Sequence, residues 1–179
     1  MREGGDSDAL LMQRVQGGDT ASLKLLYDRH SPGLSGFVER MLGSPAEAAD
    51  IVHDIFVSLW DGSAQFRRDA SLRAWLYTIA RNKAIDRLRR SGREVPREPD
   101  VNLPDLAADP EQVAQATQQR ERVAACLDKL SESHRRAVLL SFYEEFTYRE
   151  IADIEGTSEG TIKSRIFHAK QLLMHCLSR

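Results

Sequence analysis

Residues 147–170 read TYREIADIEGTSEGTIKSRIFHAK, and this stretch encodes two helices separated by a tight turn. Thr147 followed by Glu150 is a capping box, in which hydroxyl and carboxylate each satisfy an amide at the helix start, so a helix is expected from Thr147 to Glu155. Gly156 can take the positive φ that ends it. Ser158 then opens a second helix, expected to run to Leu177. At about 100° per residue, Ile162, Ile166, Ala169 and Leu173 form one narrow stripe that should face a core. Lys163, Ser164, Phe167, Lys170 and Gln171 fall on the opposite side. Two short helices joined by a Gly-containing turn make a helix-turn-helix, whose second helix enters the major groove of DNA. The outer face suits that use: cations for phosphates, hydrogen-bonding groups for base edges, and at Phe167 a ring that can meet a thymine methyl. The bland alternative packs Phe167 on a neighbouring helix or on Met174. Such helix pairs also occur in proteins that never touch DNA, so the rest of the chain decides.

Upstream, SLRAWLYTIARNKAIDRLRR over residues 71–90 reads as one long helix. It interleaves Trp75 and Tyr77 with Arg73, Arg81, Lys83, Arg87 and Arg90. Positive charge with stacking surfaces suits single-stranded nucleic acid, where a ring contributes about 1–3 kcal/mol per stacked base. Asn82, an amide among cations, can hydrogen-bond a base edge. The alternative makes Trp75 and Tyr77 core residues and the arginines a solvated face.

The whole chain of 179 residues carries a formal charge of only −2, because its charge is segregated. Residues 67–93 hold nine basic side chains against two acidic ones, and residues 94–111 hold six acidic against one basic. The second segment also contains Pro96, Pro99, Pro104 and Pro110, which remove donors and disfavour helix before them, so it reads as an extended linker. Elsewhere apolar residues recur at helical spacing. Helices are expected at Asp8 to Gln16, at Thr20 to Leu42 with a disturbance at Pro32, from the Ser44-Pro45-Ala46-Glu47 capping box to Asp61, at Gln112 to Leu130 and at Ser133 to Tyr143. The expected fold is all-α: a four-helix domain over 1–93, a linker over 94–111 and a four-helix domain with the helix-turn-helix over 112–179. Cys126 and Cys176 have no C-x-x-C spacing, so neither a disulfide nor a zinc site is expected, and a reducing cytoplasm is. No early charged-then-apolar segment and no run near the roughly 20 apolar residues of a membrane helix is present, so a soluble protein without membrane insertion is expected.

With both halves laid out, the chain resembles the sigma-70 superfamily, specifically its small extracytoplasmic-function class with only regions 2 and 4. ADIVHDIFVSLW over residues 49–60 is similar to the region 2.2 helix, residues 73–90 to regions 2.3 and 2.4, and residues 158–170 to the region 4.2 recognition helix. The resemblance implies a non-enzymatic initiation factor without cofactor or metal, partnered by core RNA polymerase (the β′ clamp helices and the β subunit), promoter DNA and an anti-sigma factor. It implies that Asp50, His53, Asp54, Phe56 and Trp60 form the polymerase face, His53 standing where a Gln is common. Arg73, Trp75, Tyr77, Arg81, Asn82, Lys83 and Arg87, with the loop from Gln65 to Ala70, would capture the −10 element, Asn82 at the position that holds a flipped-out base. Lys163, Ser164, Arg165, Phe167, His168 and Lys170 would read the −35 element. His168 stands where some relatives carry Arg, and Glu155 and Thr157 occupy turn positions usually apolar in the family.

Three rivals are open to the sequence. An enzyme lacks support, since no nucleophile elbow, phosphate loop or H-E-x-x-H is present. An ordinary helix-turn-helix regulator would leave residues 50–60 and 71–90 unexplained. A decoy that only titrates an anti-sigma factor would not need Arg81, Asn82, Lys83, Lys163 and Phe167.

Overall fold

Start and stop signals written in the sequence set the helices. In the computed structural model, which describes residues 7–62, 66, 71–92 and 110–178 (backbone only for 110–117 and 120), eight helices are seen. They are α1 (Asp8–Gln16), α2 (Thr20–Leu42), α3 (Pro45–Trp60), α4 (Leu72–Ser91), α5 (Pro110–Asp128), α6 (Glu132–Phe142), α7 (Tyr148–Glu155) and α8 (Glu159–Leu177). The segment 94–109, which holds most of the expected linker, lies outside the described residues. Side chains cap the helix starts: the Ser7, Ser44, Ser71 and Ser158 hydroxyls accept from the amides of Leu10, Glu47, Ala74 and Thr161, and the Asp19 carboxylate accepts from the amide of Ala21. The Thr147 capping box is complete, because the Thr147 amide donates to Glu150 Oε2 at 2.9 Å while the Glu150 amide donates to Thr147 Oγ1 at 3.3 Å. Gly156 has φ 63°, and the Thr157 amide reaches back to the Ala152 carbonyl, the closure that stops α7.

One start and one interior differ from expectation. Residues Pro110 and Glu111 belong to α5 rather than to the linker, because a proline in the first helical turn removes an amide that has no intrahelical partner anyway. Helix α2 runs unbroken through Pro32. The carbonyl of Asp28 loses its helical donor there, but both residues are exposed, so water can serve it.

The chain divides into two compact units, Met1–Pro96 with Asp153–Glu155 and Arg97–Ala152 with Gly156–Arg179. Helices α1–α4 make the first and α5–α8, those three residues aside, the second. In the first, α2 packs against α1, α3 and α4, burying Leu26, Leu34, Phe37 and Val38 against Leu11, Ile51, Ile55, Leu76 and Tyr77. A buried polar link adds to the α1–α2 contact: His30 Nε2 lies 2.8 Å from Asp8 Oδ2, and Arg29 pairs with the same carboxylate. Burial raises the Asp8 pKa, but the hydrogen bonds and charges of His30 and Arg29 outweigh it and hold the carboxyl below its ordinary value.

In the second unit α8 packs on α6 and α5. Leu127, Leu130, Val138 and Ala169 form a cluster joined by Val123 and Leu173. Here the expectation of two unlinked thiols is overturned: Cys126 of α5 and Cys176 of α8 are joined by a disulfide, their Cα atoms 5.8 Å apart. Spacing rules read only local sequence, whereas this pair is 50 residues apart and meets because α5 lies along α8.

Candidate nucleic-acid interface

Helix α8 places its side chains as its periodicity requires. Ile162, Ile166 and Ala169 are buried and Leu173 is half-buried, while Lys163, Ser164, Phe167, His168 and Lys170 are exposed and Arg165 is half-buried. Phe167 is 59% exposed, so it does not pack under a neighbouring helix. Its ring lies 5.6 Å from that of His168 in an edge-on arrangement, and His168 in turn lies 6.5 Å from His134 of α6. Lys170 sits 4.9 Å over the face of Phe142, a cation–π contact that steadies its ammonium. Lys163 is paired one turn back with Glu159 at 2.8 Å. That hydrogen bond and charge lower the Glu159 pKa and raise that of Lys163, so both stay ionised at neutral pH.

Helix α4 has an inner and an outer side. Leu72, Ala74, Leu76, Tyr77, Ala80, Ala84 and Leu88 are buried. Tyr77 is therefore not the exposed stacking surface expected: it is 1% exposed and packs at 5.1 Å on Phe37, because α2 covers that side of α4. Trp75 is half-buried and meets Phe66 edge-on at 5.5 Å. Phe66 is the one described residue of the loop from Gln65 to Ala70; the rest of that loop lies outside the described residues. Asn82 is exposed and two turns from Trp75, on the same side of the helix, and its Oδ1 accepts from Arg81 at 3.3 Å. Arg73 is half-buried with its guanidinium 5.5 Å from the Tyr77 ring centre. Lys83 and Arg87 turn towards α3, pairing with Asp54 at 3.7 Å and Glu47 at 3.5 Å.

On α3, Asp50, His53, Asp54 and Trp60 form a solvent-facing stripe. Phe56 does not belong to it. It is 4% exposed and packed edge-on at 5.0 Å against Tyr27, because its position coincides with the buried stripe of Val52, Ile55 and Leu59. Two exposed apolar residues on this side, Val57 and Tyr27, were missed by sequence reasoning. Val57 carried a signal, as it is an apolar residue off the buried stripe; Tyr27 did not. Among the described residues no three His, Cys, Asp or Glu side chains gather to hold a metal ion, and no described helix is long and apolar enough to cross a membrane.

Comparison with known proteins gives these faces a family. Residues 26–94 match the model of sigma-70 region 2, and residues 120–173 match that of sigma-70 region 4. Over 180 residues the chain is 34% identical to the ECF RNA polymerase sigma factor SigK of Mycobacterium tuberculosis H37Ra, covering 96% of this chain and 94% of the relative. The chain belongs to the extracytoplasmic-function RNA polymerase sigma factors. This sigma factor is also 30% identical over 174 residues to SigK of Mycolicibacterium vanbaalenii, covering 95% and 88% of the two chains. Among solved structures it is similar to CnrH in complex with the cytosolic domain of CnrY, at 25% identity and TM-score 0.66 over 97% of this chain and 98% of that one. A second likeness is to the sigma factor RpoE bound to the anti-sigma factor NepR from Bartonella quintana, at 31% identity and TM-score 0.63 over 87% and 96%. A sigma factor is a promoter-recognising initiation subunit; the basic α4 lies within the first matched region, and α7 with most of α8 lies within the second.

Proposed function

We propose that this sigma factor docks on core RNA polymerase through the α3 stripe, melts and holds the −10 element on the outer side of α4, and reads the −35 element with α8. The observation that carries the reading is the outer side of α4, where Trp75 and the exposed Asn82 lie two turns apart beside Arg81. A ring, an amide and a cation in that order match an unstacked base and its phosphate, and duplex recognition would not need the ring. The docking residues are Asp50, His53, Asp54 and Trp60 for the β′ clamp helices, with Val57 and Tyr27 supplying apolar area. On α8, Lys163, Arg165 and Lys170 meet phosphates while Ser164, Phe167 and His168 face base edges.

No bond chemistry is required of the protein. Its affinity is larger for melted than for duplex DNA, and that difference moves the promoter towards the open state. Unpairing and flipping a base costs a few kcal/mol, and stacking on Trp75 with a hydrogen bond to Asn82 offsets it. The factor acts in the bacterial cytoplasm, where polymerase is. Its solved relatives in complex with CnrY and NepR support an anti-sigma partner as the means of keeping it inactive.

Reconstituted transcription with bacterial core polymerase on a pool of promoter fragments tests the assignment. Initiation should depend on the protein. Asn82→Ala should cut single-strand reactivity of the −10 region to permanganate while leaving core binding intact. Normal opening by that variant would remove Asn82 from the mechanism.

A further inference from the structure

We propose that His134 of α6 is a positioning residue for His168, fixing the imidazole that faces the −35 base edges and so setting which base it prefers; the inference rests on the reading of α8 as the −35 helix. The first sign is at the start of α6. Ser131 holds the N-cap position, as Ser7, Ser44, Ser71 and Ser158 do in their helices, yet its hydroxyl caps no amide. It lies instead 2.7 Å from Nδ1 of His134 and 3.3 Å from the Ser133 hydroxyl. An N-cap hydroxyl ordinarily stabilises its helix through the amide two or three residues on. Helix α6 forgoes that contact, and the hydroxyl holds the half-buried His134 ring in one orientation.

The held ring meets α8. The ring centres of His134 and His168 are 6.5 Å apart with planes at 71°, an edge-to-face arrangement, and Phe167 crosses His168 at 5.6 Å and 74°. The core beneath seats the pair: His134 stands one turn before Val138 on α6 and His168 directly before Ala169 on α8, and Val138 and Ala169 belong to one buried cluster. These contacts involve ring faces and edges only. Both ring nitrogens of the exposed His168 are without a hydrogen bond among the described residues, so they are left to donate to or accept from a base edge. An exposed imidazole with no neighbour samples three χ1 wells, each aiming the ring in a different direction. A ring already held in one well gives up less rotamer freedom on binding and meets one base pair rather than several.

The test has a free-chain arm and a DNA arm, both on the full chain with its disulfide intact. Three-bond couplings across the His168 Cα–Cβ bond should report one χ1 well in the unsubstituted protein and averaged wells in His134→Ala. Ser131→Ala, which removes no cap, should shift the couplings the same way. In the second arm, core polymerase carrying each variant selects promoter fragments randomised over the −35 element. His168→Ala should reduce preference about tenfold at one base pair. With three wells open, about a third of His134→Ala molecules present the ring correctly, so that variant should lose about threefold at the same base pair alone. In the His168→Ala background it should add nothing. Unaltered couplings in His134→Ala would overturn the proposal, as would a base pair relaxed by His168→Ala and untouched by His134→Ala. Uniform weakening at every position in His134→Ala would mark a merely structural role and overturn it too. Averaged couplings in His134→Ala beside unchanged selection by His168→Ala would instead overturn the base-facing role of His168, and with it the purpose assigned to His134.

Discussion

Reduction of the Cys126–Cys176 bond should weaken the α5–α8 unit far more than the α1–α4 unit. The bond closes a loop across a sequence separation of 50, and removing that constraint from the unfolded chain is worth about 4 kcal/mol. Against this, a unit of roughly 70 residues has a total stability of only about 3–10 kcal/mol. A loss of 4 kcal/mol in a domain of this size lowers the melting midpoint by about 15–30 °C. The two units can be followed separately, because both tryptophans, Trp60 and Trp75, lie in α3 and α4. Tryptophan fluorescence therefore reports on α1–α4, whereas far-ultraviolet circular dichroism sums both units. On adding a reductant, or in Cys126→Ser, a dichroism transition should fall by that amount while the fluorescence transition stays. Superimposable dichroism melts of the oxidised and reduced protein would refute the reasoning, as would a fluorescence midpoint that falls equally.

Acid should loosen the α1–α2 contact through Asp8. Its folded pKa is depressed by His30 and Arg29 despite burial, so its contribution is present above the ordinary carboxylate value of about 4 and is lost as pH falls through the lower folded value. Urea midpoints between pH 6 and pH 2 should show this loss, and Asp8→Asn should flatten it. On α8, Ile166→Ala should cost about 2–4 kcal/mol in chemical denaturation because Ile166 is 2% exposed. Phe167→Ala, at 59% exposure, should leave stability within about 0.5 kcal/mol yet weaken −35 duplex binding. Equal stability losses in the two variants would contradict the inner and outer assignment. Glu159→Gln should release Lys163 and remove a charge that repels phosphates, giving tighter duplex binding in low salt and a smaller gain in high salt. Unchanged binding at every salt concentration would take Lys163 off the DNA face.

Local chemistry wrote most of the helices, which is why they were legible. A serine hydroxyl capping an amide three residues on and a glycine at positive φ after the last turn act within a few residues. The inner stripe of α8 was readable for the same reason, because Ile162, Ile166 and Ala169 recur at the helical period and nothing else competes for them. Ambiguity began wherever a second element had to choose. Trp75 and Tyr77 looked alike among arginines, and the packing of Phe37 from α2 is what makes Tyr77 core while Trp75 keeps an open edge. Phe56 satisfied both the buried stripe and the docking face on paper, and Tyr27 covers it in the fold. The cysteines show the limit most plainly. Their separation of 50 residues carries no local signal, and only the packing of α5 along α8 brings the two sulfurs to bonding distance. A sequence prescribes what residues a few positions apart do to one another, whereas contacts between distant residues depend on helix faces meeting, and that is decided by the packing of the whole unit.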